Sequence, residues 1–224
     1  MIHTAMVRCG ACGEETEARW AASVNADRRP DLRDAILSGS FQSLTCPNCE
    51  TAVRLPAHLT YLDHGRGDWL LVEDIDQLGT WAETETEALS VFRETFGPGA
   101  SAAAQELAEG VSPRVVFGWA ALREKLLCTE HGVDDVTLEL VKLATMRSGM
   151  DTPVGSGVAL RLSAVDDDTL TLDAVDEKTE RVDASASVPR SLLDDVADEP
   201  AAWAALREQL VTGPFVDINR MVVG

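Results

Sequence analysis

The amino-acid sequence predicts an α+β protein with two parts: a four-cysteine β module with a paired-helix segment, and a C-terminal two-layer α+β domain. Three observations lead to this prediction. Two Cys-x-x-Cys pairs occur before residue 50, two consecutive helical patterns follow residue 118, and three alternating segments after residue 157 precede two more helical patterns. We expect the first domain at residues 1–150, with an acidic helical insertion at about 74–110, and the second at residues 151–224.

Four of the five cysteines form two matched pairs, Cys9 with Cys12 and Cys46 with Cys49. Two cysteines three apart on a tight turn direct both sulfurs to one point, and two such turns supply the tetrahedral thiolate cage of a structural Zn²⁺ site. We therefore predict a zinc-ribbon-like module with these four ligands and no open coordination position. Iron in the same cage, as in a rubredoxin-like electron carrier, and redox cycling of the pairs stay open.

The sequence around the cysteines predicts short strands and one helix. Alternation at 16–24 is typical of a strand, Pro30 begins a helix that Gly39 ends, and residues 41–45 lead back into the second pair. Short strands are expected around 51–55, 57–62 and 69–73, extending one sheet over the metal. Gly13 follows the first pair, where positive φ is common, whereas Glu50 follows the second.

The middle of the chain contains an acidic segment followed by two segments with the pattern of amphipathic helices. Residues 61–110 hold 2 basic and 11 acidic residues, and Thr84 with Glu87 predicts a capping-box helix start. A strand at 113–119 is followed by the paired helices, whose apolar residues recur at helical spacing. Cys128 lies in the first of these helices, where we expect it to pack in the core.

The C-terminal third predicts a three-stranded meander over 157–188 with two helices behind it. Apolar and polar residues alternate in three segments separated by polar turns. Pro189 is predicted to begin a helix, a second helix contains Trp203, and residues 215–223 are expected to close as an edge strand.

Several segments resemble the bacterial CpXC proteins, a family named for its Cys-Pro-x-Cys-type pairs. The similarity lies in CGAC, NADRRPDLRDAILSGSFQSLTCPNC, YLDHGRGDWLLV and RVVFGWAALREKLLCTEHGVDDVTLELVKL, which together cover most of residues 5–150. The resemblance implies that Cys9, Cys12, Cys46 and Cys49 are the metal ligands. Gly10 stands where the family has proline, and His64 is displaced from the family's Tyr-His-Asp pattern. The resemblance implies an architecture and a ligand set, but no reaction.

The net charge of the chain limits the classes of molecule that it is expected to bind. The chain has 19 Lys and Arg against 38 Asp and Glu, a net charge of −19. Such a surface repels phosphate backbones and anionic lipid, so we expect no nucleic acid and no membrane as partner. The one basic cluster, Arg28, Arg29 and Arg33, is interleaved with aspartates. A basic protein partner is favoured, self-association through the paired helices stays open, and the absence of an apolar leader pattern favours the cytoplasm.

No sequence motif indicates catalysis. Nucleotide-binding, metalloprotease and hydrolase motifs are absent from the sequence. His58, Asp63, His64 and Asp68 lie close enough in sequence for a second metal or acid–base site, but polar loop residues explain them more simply. Asp166–Asp168 lacks the remaining ligands of a calcium loop and is interpreted as a turn. The sequence therefore predicts a zinc-stabilised, non-catalytic adaptor or assembly protein that acts through protein–protein interaction.

Overall fold

The structure is a computed structural model that describes residues 2–148 and 157–221. The strands are β1 (Ile2–Arg8), β2 (Glu15–Ala21), β3 (Ser23–Asn25), β4 (Ser43–Thr45), β5 (Ala52–Arg54), β6 (Leu59–Asp63), β7 (Asp68–Glu73), β8 (Ser112–Phe117), β9 (Val158–Val165), β10 (Thr169–Asp176) and β11 (Val182–Pro189). The helices are α1 (Pro30–Leu37), α2 (Trp81–Phe96), α3 (Ala102–Ala108), α4 (Gly118–His131), α5 (Asp135–Arg147), α6 (Leu192–Asp198) and α7 (Pro200–Leu210). The predicted α+β class is confirmed.

The strands near the cysteines form two separate hairpins. β1 pairs with β2, β4 pairs with β5, and both pairings are antiparallel. β6 and β7 instead belong to a four-stranded mixed sheet of order β3-β6-β7-β8. The expectation of one sheet extending over the metal is therefore wrong, because β3 and β8 pair with β6 and β7 in parallel and draw them into the body of the protein. β1 was not anticipated from the sequence.

Helix α2 corrects the predicted helix start. It begins at Trp81, so Thr84 lies inside the helix, where its hydroxyl donates to the Thr80 carbonyl oxygen at 3.3 Å. Ala88 and Phe96 are buried in a cluster with residues of β7 and β8. The acidic segment thus forms a helix with one packed face rather than a wholly solvated insertion.

Helices α4 and α5 lie at the centre of the molecule. Apolar residues of α4 pack with β6, β7 and α1, while those of α5 share a cluster with β9 and β10. Cys128 is 2% exposed in that second cluster, which confirms the expected packing role. The expected boundary at residue 150 lies outside the described residues, so the division into domains stays a prediction.

The C-terminal meander is confirmed as an antiparallel sheet of order β11-β10-β9. Pro189 ends β11, and the helix expected there begins later, at Leu192. The expected closing strand is wrong, since residues 215–217 form a buried irregular stretch and a 3-10 helix follows over Ile218–Met221. Side chains from other elements satisfy its backbone: Glu85 accepts from the Phe215 N–H, and Lys125 donates to the Val216 carbonyl. Residues 222–224 lie outside the described residues.

Candidate metal centre

The first cysteine pair lies in the turn that joins β1 to β2. The Gly13 N–H donates to the Cys9 carbonyl oxygen at 2.8 Å, and the Cys9 N–H donates to the Glu14 carbonyl oxygen at 2.8 Å. Gly13 has φ +78°, a conformation that glycine adopts at no steric cost. The turn therefore directs Cys9 and Cys12 toward the same point.

The second pair repeats this geometry between β4 and β5. The Glu50 N–H donates to the Cys46 carbonyl oxygen, and the Cys46 N–H donates to the Thr51 carbonyl oxygen, both at 2.9 Å. Glu50 occupies the position equivalent to Gly13 and has φ +58°. A side chain in this left-handed region costs about 1 kcal/mol, so the hydrogen bonds of the turn impose a strained backbone on Glu50.

The two turns bring all four predicted cysteines together. Their Sγ atoms lie within 4.8 Å of one another, with 3.7 Å between Cys9 and Cys49 and 3.6 Å between Cys12 and Cys46. A tetrahedron with Zn–S bonds of about 2.3 Å requires sulfur separations of about 3.8 Å. Four sulfur donors at this spacing fit a tetrahedral thiophilic metal, and the site is able to bind a metal ion.

The sulfur atoms perturb one another in a way that favours a bound cation. A hydrogen bond with the Thr51 hydroxyl, together with the Thr51 N–H, lowers the pKa of Cys49 to about 6. At Cys46 the N–H of Asn48 favours the thiolate, but burial and the adjacent thiols outweigh it and raise the pKa to about 11. Four adjacent thiols resist full ionisation unless a cation neutralises the charge.

The histidine and aspartate residues of the 58–68 segment do not form a second centre. His58 Nδ1 lies 2.7 Å from Glu73 Oε2, whereas the backbone N–H of His64 donates to Asp27. Asp68 is 7% exposed, and burial raises its pKa to about 6 although the Thr129 hydroxyl donates to it at 2.9 Å. In the two described ranges, the four cysteines are the one group of metal-binding side chains brought together.

The arginine cluster near the first module is engaged by acidic side chains. Arg29 pairs with Asp31 at 2.6 Å, and the buried Arg33 pairs with Glu130 at 3.0 Å and with Asp63 at 3.9 Å. Two of the three guanidinium groups are therefore neutralised within the chain.

Sequence reasoning missed a network of charged side chains in the core. Lys142 Nζ donates to Glu124 and Glu139 at 2.7 Å each, and all three side chains are fully buried. Arg161 pairs with Glu124 and Asp217, and burial raises the pKa of Glu139 to about 7 although Lys142 opposes the shift.

A sequence signal for this network exists in α5. Glu139 and Lys142 interrupt the apolar run Leu-Glu-Leu-Val-Lys-Leu, where charged residues have no solvent-facing stripe to occupy. Two of the three lysines in the chain, Lys125 and Lys142, are buried. Lys125 donates to Asp135 at 3.0 Å, which Arg114 also contacts at 2.8 Å.

Comparison with known proteins gives one match. The family model described as CpXC protein matches residues 7–142, more than half of the chain, and the matched segment includes all four clustered cysteines, the whole of α4 and the first part of α5. No curated protein and no solved structure matches the chain. No helix in the described parts of the chain is long and apolar enough to cross a bilayer.

Proposed function

The chain belongs to the CpXC family, and from this premise we propose that it is a zinc-stabilised, non-catalytic adaptor or assembly protein of the cytoplasm. The observation that supports the proposal best is the convergence of four cysteine sulfurs within 4.8 Å at the ends of two hairpins. The hairpins are short, and two-stranded units of this kind are marginal without a further constraint. A metal that joins them would stabilise the fold by about 10 kcal/mol.

The donor set supports a structural rather than a hydrolytic metal. Four protein thiolates complete a tetrahedral sphere, so a bound Zn²⁺ would have no position for a water molecule to be activated. Iron in the same cage would instead give a rubredoxin-like carrier, and a metal-free state would leave thiols for redox chemistry. These alternatives differ in colour and in metal content.

The charge of the chain supports interaction with a protein rather than with nucleic acid or a membrane surface. A net charge of −19 repels phosphate groups and attracts basic surfaces. The partner is therefore expected to be a protein whose surface is basic.

Elemental analysis of protein purified without added metal tests the metal assignment. We expect one zinc per chain, lost together with folded structure in the Cys9→Ser/Cys46→Ser variant and retained in a Cys128→Ala control. Iron with visible absorption would replace the proposal with the electron carrier. Folded, metal-free protein with titratable thiols would replace it with the redox protein.

Co-purification from native extract tests the adaptor role separately. The zinc-loaded chain is expected to retain a stoichiometric protein partner, and the interaction is expected to weaken as salt rises. A chain that purifies without any partner under low-salt cross-linking would refute the adaptor role while leaving the metal assignment intact.

A further inference from the structure

The outer edge of β1 is an unpaired strand edge. Among the described residues, β1 pairs with β2 alone, and residues 2–8 make no other backbone–backbone hydrogen bond. All seven residues are in regular register with β2. Every second N–H and C=O group of β1 therefore points away from the hairpin and is able to pair with another strand.

β1 lacks the features that normally protect a strand edge. It contains no proline, no lysine and no acidic residue, and its Met6 is 61% exposed. Its hairpin partner β2 exposes Glu15, Glu17 and Arg19. The edge strand β11 has a bulge at Asp183 and a terminal proline. Proteins normally use such features to prevent an exposed edge from pairing with another strand. The edge of β1 lacks them, which is expected of an edge that pairs with another strand.

An apolar groove of about 430 Å³ lies along this edge. It is lined by Ala5, Met6, Val7, Arg8, Trp20, Leu55, Pro56 and His58. Because successive residues of a strand point to opposite faces, a groove lined by four consecutive residues reaches around the edge of β1. Its volume is within the range of ligand pockets, and it is large enough for two or three apolar side chains.

Aromatic side chains form a fixed end wall of the groove. The rings of His3 and Trp20 stack with centroids 4.8 Å apart, and the His58 ring is tilted against Trp20 with centroids 5.9 Å apart. His58 is held in turn by Glu73. A wall of this kind is ordered before a ligand arrives, which lowers the entropic cost of binding.

The metal centre supports the same edge. β1 runs directly into Cys9, and the Nε of Arg8 donates to the carbonyl oxygen of Gly13 in the first cysteine turn. A metal bound by the four cysteines would fix the turn that closes the β1–β2 hairpin, and thereby the position of the edge.

Charge indicates which occupant fits. The groove includes Arg8 and His58 but no carboxylate, in a chain whose net charge is −19. A second copy of this chain would bring the same net charge and, through β1, no carboxylate for Arg8. The groove instead complements a foreign strand with apolar residues at alternate positions and an acidic residue near Arg8.

We propose that the β1 edge and its groove bind an extended segment of a partner protein by strand addition, with alternate apolar side chains in the groove and a carboxylate on Arg8. This inference rests on the adaptor function proposed above and specifies how the partner is held. Backbone pairing along β1 supplies affinity, and the groove selects the side chains.

A synthetic nonapeptide tests the proposal by calorimetric titration of the zinc-loaded full chain. The peptide alternates threonine with valine and has aspartate at each end. Ala5→Glu places a charge in the groove, whereas Ala202→Glu makes the same substitution at an exposed position of α7, outside the groove lining, and is the matched control. We expect Ala5→Glu to weaken binding at least about tenfold, as for a buried uncompensated charge. Ala202→Glu should change binding less than about threefold, and zinc content should stay unchanged in both variants.

Two methylated peptides test the backbone pairing. A strand pairs through the N–H groups of alternate residues, so methylation of the valine nitrogens or of the threonine nitrogens should abolish binding in one case only. The proposal would be overturned by equal effects of the two methylations, by equal effects of the two glutamate variants, or by absence of peptide binding at millimolar concentration. A dimer in sedimentation that Ala5→Glu dissociates would also overturn it, because the occupant would then be a second copy.

The outcome separates this proposal from the adaptor function. A co-purified partner that binds wild type and Ala5→Glu equally would overturn strand addition and leave the adaptor role intact. If the peptide binds with the expected variant pattern but the chain retains no partner from extract, strand addition would be supported and the adaptor role overturned.

Discussion

Replacing Glu124 by glutamine tests whether the buried ionic network holds the core together. Three donors converge on this carboxylate: Lys142 Nζ at 2.7 Å, Arg161 Nη1 at 3.4 Å and the backbone N–H of Leu162 at 2.6 Å. Glutamine has one acceptor oxygen and one NH₂ group, so its NH₂ must face either the two cations or the Leu162 N–H. The variant therefore leaves at least one buried donor unsatisfied and removes one of the two carboxylates that Lys142 contacts.

The expected loss follows from the burial of the group. Removing one partner of a fully buried ion pair costs about 3–5 kcal/mol, because the remaining charge stays desolvated. The stability of a protein is typically about 5–15 kcal/mol, so a loss of this size removes a large part of it. With a urea dependence of about 2–3 kcal/mol per molar, the unfolding midpoint should fall by about 1–2 M.

Urea unfolding of the zinc-loaded chain, followed by tryptophan fluorescence, measures this change. Glu87→Gln is the matched control, since Glu87 is exposed on α2 and its replacement should change the free energy of unfolding by less than about 0.5 kcal/mol. A loss of less than about 1 kcal/mol for Glu124→Gln would refute the reasoning, because the carboxylate would then contribute no more than an ordinary neutral hydrogen bond.

Three further predictions test other parts of the structure. Glu50→Gly should raise the free energy of unfolding by up to about 1 kcal/mol, since glycine adopts positive φ without strain, and Gly13→Ala should lower it by about as much. Urea unfolding of both zinc-loaded variants measures the two changes, and changes of the same sign would contradict the prediction. Burial raises the pKa of Asp68 to about 6, above the ordinary range of an aspartate, so the folded state binds the proton more tightly than the unfolded chain. The free energy of unfolding therefore falls as pH rises from about 4 to about 6. Asp68→Asn should therefore stabilise the chain by up to about 2 kcal/mol at pH 7.5 and leave it nearly unchanged below pH 4, and thermal unfolding at the two pH values measures this. The exposed control Asp167→Asn should change the free energy of unfolding at pH 7.5 by less than about 0.5 kcal/mol. A fragment of residues 1–150 should not fold even with zinc, because its buried charges lose their partners, and its NMR spectrum should lack the amide dispersion of a folded protein. A dispersed amide spectrum would show instead that this segment folds alone.

The expectation for the fragment follows from where the partners of the buried charges lie. The family match ends at residue 142, yet Glu139 accepts the N–H of Ile218 at 3.0 Å. Lys125 donates to the Val216 carbonyl at 2.7 Å, and Glu85 accepts from the Phe215 N–H at 2.8 Å. The C-terminal segment thus completes the hydrogen bonding of charged groups that the matched segment buries.

Local patterns in the sequence were enough for the cysteine cluster and for most elements. A Cys-x-x-Cys pair on a tight turn brings its own sulfurs close together, and two such pairs in one short module are typical of a tetrahedral four-thiolate metal site. Helix α1 lies at the predicted position because Pro30 and Gly39 act on the backbone of their immediate neighbours. The C-terminal meander was predictable because alternation and polar turns are local properties.

Pairing between distant strands was not predictable in the same way. The sequence predicts β6 and β7, but nothing in their side chains states that β3 and β8 lie beside them in parallel. The final stretch at 215–218 is rich in apolar residues, as a strand would be, but it forms a buried irregular segment that leads into a 3-10 helix. Its backbone groups are satisfied by side chains of α2, α4 and α5, which a local pattern cannot reveal.

By itself, the sequence determined the α+β class, the four cysteines and the chemistry they offer, because those depend on residue type and short spacing. Only the tertiary structure decided which charges are buried and which edge is bare. Glu124 is held by a residue 38 positions away, and β1 has an open edge because no strand within residues 2–148 and 157–221 other than β2 pairs with it. Burial and pairing are relations between distant residues, and their free energies depend on partners that no local window contains.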